Sequence, residues 1–181
     1  MENKVTIPFP QPGDYPDYYE NYLSHVDREK EILVTLKEQL TTVIASLSAL
    51  GEEEQNRRYS EGKWSVKEVI GHCIDTERIF SYRALCFARG ETQPLPGYDE
   101  NKYTPAGRFG ERSLQSLLKE FAALRESNIT LFSSFSAEDV VKGGVASGYK
   151  NKVNSIIYVL AGHLQHHLMI LKERYGINGA K

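Results

Sequence analysis

The seven prolines of this chain are confined to two short segments, and this distribution constrains the fold more than any other feature. Four of them lie within residues 8–16 and three lie within residues 94–105. Because proline breaks the interior of a helix, the remaining segments are free to form long helices. No alternation of apolar and polar residues of comparable strength indicates strands. The chain is therefore predicted to be all-α.

Four segments carry apolar residues at the three-and-four spacing of an amphipathic helix. Ser65 and Glu68 have the spacing of a capping box at the start of the second segment, and Ser113 opens the third. Gly51 and Gly176 follow the first and the fourth segments as C-terminal cap candidates. A short lead-in helix is expected before the first segment. The four predicted helices span residues 24–50, 65–88, 113–135 and 153–175.

Four helices of this kind favour a four-helix bundle. The linker at residues 91–112 is far longer than an antiparallel turn requires, so it can cross the length of the bundle. The second and third helices are therefore expected to run parallel, in an up-down-down-up arrangement. The 181 residues are predicted to form an N-terminal arm, residues 1–16, and a single domain, residues 17–181.

Charge and composition exclude several classes of protein. The formal net charge is -2, and lysine and arginine are scattered along the chain, so nucleic-acid binding is not expected. No apolar run approaches the roughly 20 residues of a membrane span, and the N-terminus lacks the apolar core of a signal peptide. Cys73 and Cys86 lie about 20 Å apart on one predicted helix, too far for a disulfide. We expect a cytoplasmic protein with reduced thiols.

Histidines are grouped in a way that predicts a metal site. Three of the five lie within residues 163–167, and His72 lies early in the second predicted helix. His163 and His167 are one helical turn apart near the buried face, so both rings can reach a common point. If the second and fourth helices are antiparallel, His72 comes level with this pair. Three imidazoles would hold a divalent metal ion and leave positions open for water or substrate.

Other interpretations of these residues stay open at this level. A single buried histidine is more often a hydrogen-bonded core residue than a metal ligand. His166 points towards solvent on the helical wheel, with an i, i+3 pairing to His163 as the alternative, and His25 has no partner in sequence. Asp75 either orients an imidazole, serves as a fourth ligand, or forms a solvated acidic turn with Glu77.

Two glycines and the central linker add weaker signals. Gly71 and Gly162 each precede a predicted ligand inside a helix, where glycine costs about 1 kcal/mol relative to alanine. Close packing between helices or protomers explains them equally well. Arg83 is expected to meet an anionic cosubstrate or a carboxylate. Long linkers are often functional, so four side chains are expected either to line a pocket or to tie the crossover down: Tyr98, Asp99, Tyr103 and Arg108.

These segments together carry a resemblance to a known family, the DinB and YfiT-like superfamily of small bacterial metal-binding four-helix proteins. The pattern of that family is one histidine early in the second helix and an H-x-x-x-H pair in the fourth, which carries over onto His72, His163 and His167. The matching segments are WSVKEVIGH (64–72), DTER (75–78), LPGYD (95–99), AGH (161–163), HH (166–167) and ERY (173–175).

The resemblance implies an up-down-down-up bundle, a homodimer, and a divalent ion such as zinc or nickel held by three histidines, with water completing the coordination. Characterised relatives include thiol S-transferases that use low-molecular-weight thiols such as bacillithiol or mycothiol, and others are assigned as metal-dependent hydrolases. We therefore expect a metal-dependent thiol S-transferase that acts on a small-molecule substrate.

Two alternatives compete with the transferase hypothesis. In a hydrolase, a metal-activated water needs a carboxylate base, for which only Asp75 or Glu68 is plausibly placed. In a structural dimer, the histidines only stabilise the bundle, and alanine at a ligand position would melt the fold. Closed structural zinc sites fill all four positions, often with cysteine, and neither Cys73 nor Cys86 aligns with the histidines. The transferase hypothesis ranks first and the structural dimer third.

Overall fold

Seven helices and one β-hairpin follow one another in residues 5–177, which are the residues that the computed structural model describes. None of these helices combines the length and the apolar character that crossing a membrane requires. The helices are α1 (Glu20–Leu23), α2 (Ile32–Leu47), α3 (Glu52–Asn56), α4 (Val66–Ala88), α5 (Glu100–Ala106), α6 (Leu114–Ser133) and α7 (Val153–Tyr175). The hairpin pairs β1 (Gly143–Ala146) with β2 (Tyr149–Lys152). Three 3-10 turns complete the elements: Asp17–Tyr19, Phe109–Glu111 and Asp139–Val141.

The four long helices, α2, α4, α6 and α7, form the predicted four-helix bundle. Helices α4 and α6 run parallel, because Lys67 at the start of α4 donates to the carbonyl of Gly110 just before α6, at 2.6 Å. Helix α7 is antiparallel to α4, since the Tyr175 hydroxyl at its end donates to the carbonyl of Trp64 at 2.6 Å. The all-α class and the up-down-down-up arrangement are confirmed, and the linker does cross the bundle.

Local capping signals place three of the long helices as predicted. Ser65 Oγ accepts the backbone N–H of Glu68 at 3.3 Å, and the Glu68 carboxylate accepts that of Ser65 at 2.6 Å. Ser113 Oγ accepts the N–H of Ser116 at 3.2 Å at the start of α6. Gly176 ends α7 with a φ of 67°, a backbone conformation that favours glycine.

The predicted boundaries of the first long helix are wrong. Helix α2 begins at Ile32 instead of near residue 24, although the lead-in helix is present as α1. The carboxylate of Asp27 accepts the backbone N–H of Glu29 at 3.0 Å, and this local turn competes with the helical hydrogen bonds. Gly51 does not cap the end of α2, where Ser48 stands; it is the N-cap residue of α3.

The hairpin is an element that the sequence pattern does not predict, because its four-residue strands lack an apolar alternation. Its turn is formed by Ser147 and Gly148, with φ angles of 54° and 82°, as in a type I′ turn. Leu95 of the central linker joins the hairpin: its N–H donates to Val145 at 2.9 Å, and its carbonyl accepts from Ser147 at 3.1 Å. A Ser-Gly pair in a glycine-rich segment is the signal that could have revealed it.

A buried polar network joins the four long helices. The Arg125 guanidinium donates to both carboxylate oxygens of Glu77, at 2.6 and 2.7 Å, and Asn128 donates to the same carboxylate at 3.1 Å. Arg125 also donates to Gln39 at 3.3 Å, and Gln39 donates to the Ala161 carbonyl at 2.8 Å. The interpretation of Glu77 as part of a solvated turn is therefore wrong, since it is a paired core residue.

The described part of the N-terminal arm, residues 5–16, packs against α7. The hydroxyl of Tyr158, which is buried in α7, donates to the carbonyl of Ile7 at 3.1 Å. Residues 1–4 of the predicted arm lie outside the described residues. The arm thereby covers the first turns of α7, on the N-terminal side of the histidine segment.

Candidate metal centre

Three histidine side chains from two antiparallel helices meet at one point. Nε2 of His163 lies 3.0 Å from Nε2 of His72 and 3.2 Å from Nε2 of His167. One ring nitrogen from each lies within 4.8 Å of the others. Across residues 5–177, no other group of three histidine, cysteine or acidic side chains is close enough to share a metal ion. The structure therefore brings together the three residues that the sequence singles out.

Glycines beside two of these histidines permit the close approach of neighbouring segments. A Cβ on Gly71 would lie 2.1 Å from the Phe109 ring, which packs against α4 at this position. A Cβ on Gly162 would lie 2.1 Å from the backbone carbonyl oxygen of Tyr22. Close packing within one chain thus accounts for both glycines, and Gly162 is what allows α1 to approach α7.

Aromatic side chains border the three histidines. The Trp64 ring lies 4.8 Å from the His72 ring, and the Tyr22 ring meets the His163 ring edge-on at 5.4 Å. His72 and His163 are buried, with 5% and 6% of their surface exposed. The sequence does not assign Tyr22 or Trp64 to the site. Trp64 could have been suggested by its place next to the capping box of α4, whereas no signal in the sequence points to Tyr22.

Burial keeps the three imidazoles neutral. It lowers the pKa of His72 to about 4. It also lowers the pKa of His167 to about 3, with a contribution from neighbouring histidines. Burial and then the other imidazoles hold the pKa of His163 well below its usual value. Neutral imidazole is the form that binds metals, through its unprotonated nitrogen.

Two of the three separations between the ring nitrogens fit a shared divalent metal ion. Two nitrogens that share one ion at about 2.0–2.1 Å each are separated by roughly 3 Å. The observed separations of 3.0 and 3.2 Å agree with this value. In a neutral His163, Nε2 carries either one proton or one lone pair. It can therefore form a hydrogen bond with only one of the two nitrogens beside it. A shared cation resolves that conflict, because all three nitrogens then act as donors of electron pairs.

The other two histidines lie outside this group. The His25 and His166 rings stack with their centroids 5.9 Å apart and their planes 19° apart. The Tyr22 ring contacts both sets and lies 5.5 Å from that of His166, which also meets the His167 ring edge-on at 5.3 Å. The i, i+3 pairing of His166 with His163 is therefore not the arrangement in the structure. His25 has a partner that the sequence did not indicate.

Neither acidic residue considered in the sequence reaches the histidines. Asp75 is half-buried, and burial raises the pKa of its carboxyl, but its carboxylate is not one of the clustered ligand atoms. Glu68 is engaged elsewhere: its carboxylate caps α4 through Ser65 and forms an ion pair with Arg58 at 2.7 Å. Within residues 5–177 the cluster consists of imidazoles alone.

The central linker contributes two of its four predicted residues to a pocket against α4, Tyr98 and Tyr103. Their rings lie 5.5 Å apart, and the Tyr98 hydroxyl shares a hydrogen bond of 2.7 Å with Thr76, one turn along α4 from the histidine of that helix. Asp99 instead caps α5, and Arg108 is exposed.

Two curated proteins are similar to this chain at low identity. One is named "Putative metal-dependent hydrolase" in Oceanobacillus iheyensis; it is 22% identical over 130 residues, which cover 70% of this chain and 73% of that protein. The other carries the same description in Geobacillus thermodenitrificans; it is 22% identical over 154 residues, which cover 81% and 85% of the two chains.

A solved structure shares the fold. The alignment with YfiT from Bacillus subtilis has a TM-score of 0.72 at 14% identity and covers 96% of this chain and all of that one. Its description reads "a probable metal-dependent hydrolase with an unusual four-helix bundle topology". The family model of the DinB superfamily matches residues 35–171, about three quarters of the sequence, and that range includes all three clustered histidines. This protein belongs to the DinB superfamily.

Proposed function

We propose that this protein is a metal-dependent thiol S-transferase whose reaction takes place at His72, His163 and His167. The observation that carries the proposal is the convergence of three neutral imidazole nitrogens, with no carboxylate or thiol among them. Three protein ligands are typical of catalytic sites, whereas closed structural zinc sites use four. The site therefore suits a reaction in which a small molecule completes the coordination.

A divalent ion bound here would lower the pKa of a thiol that reaches it. The chain itself supplies the neutral imidazoles that hold the ion, and Trp64 and Tyr22 shield their rings from bulk water. In the transfer, the thiol sulfur forms a bond to an electrophilic carbon, and the bond from that carbon to its leaving group breaks. The thiol proton passes to solvent, so this step needs no carboxylate base at the cluster.

Hydrolysis is the second candidate, and the names of the two curated relatives support it. An attacking water requires a positioned base to accept its second proton. Asp75 is not part of the cluster, and Glu68 is held by Arg58 and the helix cap. We rank transfer ahead of hydrolysis because the part of the chain that the structure describes places no carboxylate at the three histidines.

The identities of the ion and the cosubstrate belong to the proposal. Imidazole ligands suit zinc and nickel, and we propose one of these two. The cosubstrate is proposed to be a low-molecular-weight thiol, and the acceptor a small electrophile. A homodimer in the cytoplasm, which follows from the resemblance and the composition, stays a prediction.

The test compares two neighbouring histidines on α7. Metal content of purified untagged protein is measured by plasma mass spectrometry for the wild type, His167→Ala and His166→Ala. We expect near-stoichiometric zinc or nickel in the wild type and in His166→Ala, because His166 stacks on His25 outside the cluster. His167→Ala should lose most of the metal, since one of three ligands is removed. A wild type that binds no metal after reconstitution would overturn the proposal.

Metal-loaded protein is then assayed with thiols and a chromogenic alkyl halide, and separately with nitrophenyl esters. Thiol conjugation that disappears in His167→Ala and persists in His166→Ala supports the transferase. Ester hydrolysis without any added thiol, with the same dependence on the two variants, would establish the hydrolase instead.

A further inference from the structure

The pocket to which Tyr98 and Tyr103 contribute lies between α4 and the central linker. Its volume is about 240 Å³, and none of the residues that line it is a histidine. Two arginines of α4, Arg78 and Arg83, line it. The remaining wall is mostly apolar or aromatic: Ile79, Tyr82, Leu95, Pro96, Tyr98 and Tyr103.

Arg83 is a buried cation with neutral partners. Only 4% of its surface is exposed, and its Nη2 donates to the Pro96 carbonyl at 2.9 Å and to Ser147 Oγ at 2.8 Å. Its guanidinium also lies over the Phe80 ring, 5.3 Å from the centroid. Over residues 5–177, no carboxylate lies within ion-pair distance of Arg83. A buried charge is costly unless it is paired, so this side chain lacks the counterion that its burial calls for.

The unused donors of Arg83 are available to the cavity. A guanidinium carries five N–H groups, and both hydrogen bonds to Pro96 and Ser147 start from Nη2. Within residues 5–177, Nε and Nη1 donate no hydrogen bond and are not completely buried, and the Arg83 side chain lines the cavity. These two nitrogens face different sides of the guanidinium, so each can donate a separate charge-assisted hydrogen bond to a carboxylate oxygen.

Arg78 differs from Arg83 although both line the cavity. Its side chain is 48% exposed, and it forms an ion pair with Glu120 at 2.9 Å. Its charge is therefore already balanced, and solvent screens it further. The attraction for an anion inside the cavity arises from Arg83.

We propose that this cavity binds a small carboxylic acid with an apolar or aromatic body, in addition to the ion at the histidines. The carboxylate accepts a charge-assisted hydrogen bond from Arg83, and the body packs between Ile79 and the rings of Tyr98 and Tyr103. Because Tyr98 stands between the cavity and Thr76, the bound acid lies beside the histidine site without contacting it. The inference goes beyond the proposed function and does not depend on it.

The test measures the binding of benzoate by calorimetry, with benzamide as the neutral molecule of the same shape. We expect saturable binding of benzoate and much weaker binding of benzamide. Arg83→Met should weaken the binding of benzoate about tenfold or more, because it removes the charged donor of the hydrogen bond to the carboxylate. Arg78→Met is the matched control and should change the affinity by less than about threefold.

Two further variants separate the possible failures. Arg83→Met also removes bonds to Pro96 and Ser147 and can perturb the fold, so Ile79→Trp fills the cavity while Arg83 and its bonds remain. Ile79→Trp should abolish benzoate binding with an unchanged circular dichroism spectrum. His163→Ala should bind benzoate like the wild type, whatever the fate of the metal site.

Three results would each overturn the inference: equal binding of benzoate and benzamide, undiminished binding by folded Arg83→Met, or no saturable binding of benzoate. In any of these cases the role of Arg83 is only structural: its hydrogen bonds hold the linker and the hairpin turn against α4.

Discussion

The Nε2 atoms of His72 and His163 lie 3.0 Å apart, although 91 residues separate the two histidines along the chain. This contact depends on the antiparallel packing of α4 and α7, which the Tyr175 to Trp64 hydrogen bond closes at one end. Apolar core clusters lie on both sides of the histidines, so the packing of these helices does not rest on the site. The packing of the bundle therefore holds the three histidines in place, and it should persist when the site is altered.

Removal of the bound metal should leave the bundle folded. After treatment with a chelator, we expect an unchanged far-ultraviolet circular dichroism spectrum and a lower midpoint of thermal unfolding. The midpoint falls because a ligand that binds only the native state stabilises it by mass action. Loss of the helical signal on chelation would favour the structural-dimer hypothesis, in which the histidines hold the bundle together.

Breaking the buried ion pair should be far more damaging than breaking an exposed one. Arg125→Met leaves the Glu77 carboxylate buried without its partner, and we expect a loss of about 3–5 kcal/mol in the free energy of unfolding. Arg78→Met breaks an ion pair with Glu120 that is half exposed, and we expect a loss below about 1 kcal/mol. Urea denaturation measures both.

A double variant tests the cause of that loss. Glu77→Leu combined with Arg125→Met removes both charges, so the combined loss should be smaller than that of Arg125→Met alone. A double variant as unstable as the single one would mean that lost packing, rather than an unpaired charge, destabilises the core.

Gly162→Ala should disturb the contact between α1 and α7. The added Cβ would meet the carbonyl oxygen of Tyr22 at 2.1 Å, and a backbone atom cannot rotate aside as a side chain can. We expect a loss of about 1–3 kcal/mol from overpacking, measured by urea denaturation. Gly110→Ala is the control, because nothing lies within 4 Å of its Cβ position. Equal stability of the two variants would show that α1 does not pack as described.

The stability of the metal-free protein should depend on pH through the clustered histidines. Burial lowers the pKa of His72 to about 4 from the ordinary value of 6.5, so the unfolded chain takes up protons first as the pH falls. The contribution of this histidine to the free energy of unfolding is therefore greatest above pH 6.5, and it decreases as the pH falls towards 4. Denaturation in urea at a series of pH values measures this slope. A double variant, His72→Gln with His167→Gln, should show a shallower slope, and an equal slope would assign the effect to other groups.

Much of the fold can be predicted from patterns among residues that are close together in the sequence. The capping serines Ser65 and Ser113 and the terminal Gly176 act within a few residues of themselves, so the ends they mark agree with the structure. The i, i+4 spacing of His163 and His167 is equally local. The start of α2 was misplaced because the turn at Asp27 interrupts a segment whose apolar spacing suits a helix.

The sequence by itself determined the all-α class, the long helices of the bundle and the three histidines, because periodicity, caps and one-turn spacing are properties of neighbouring residues. Only the tertiary structure decided that Glu77 pairs with Arg125 and that Tyr22 lies against His163. It also decided that Arg83 is buried, with no carboxylate of residues 5–177 at ion-pair distance. Each of these depends on which helix faces are brought together across the bundle. Burial makes such pairings important for stability, because a buried charge without a partner is costly. No local sequence pattern predicts them, because the two partners come from different helices.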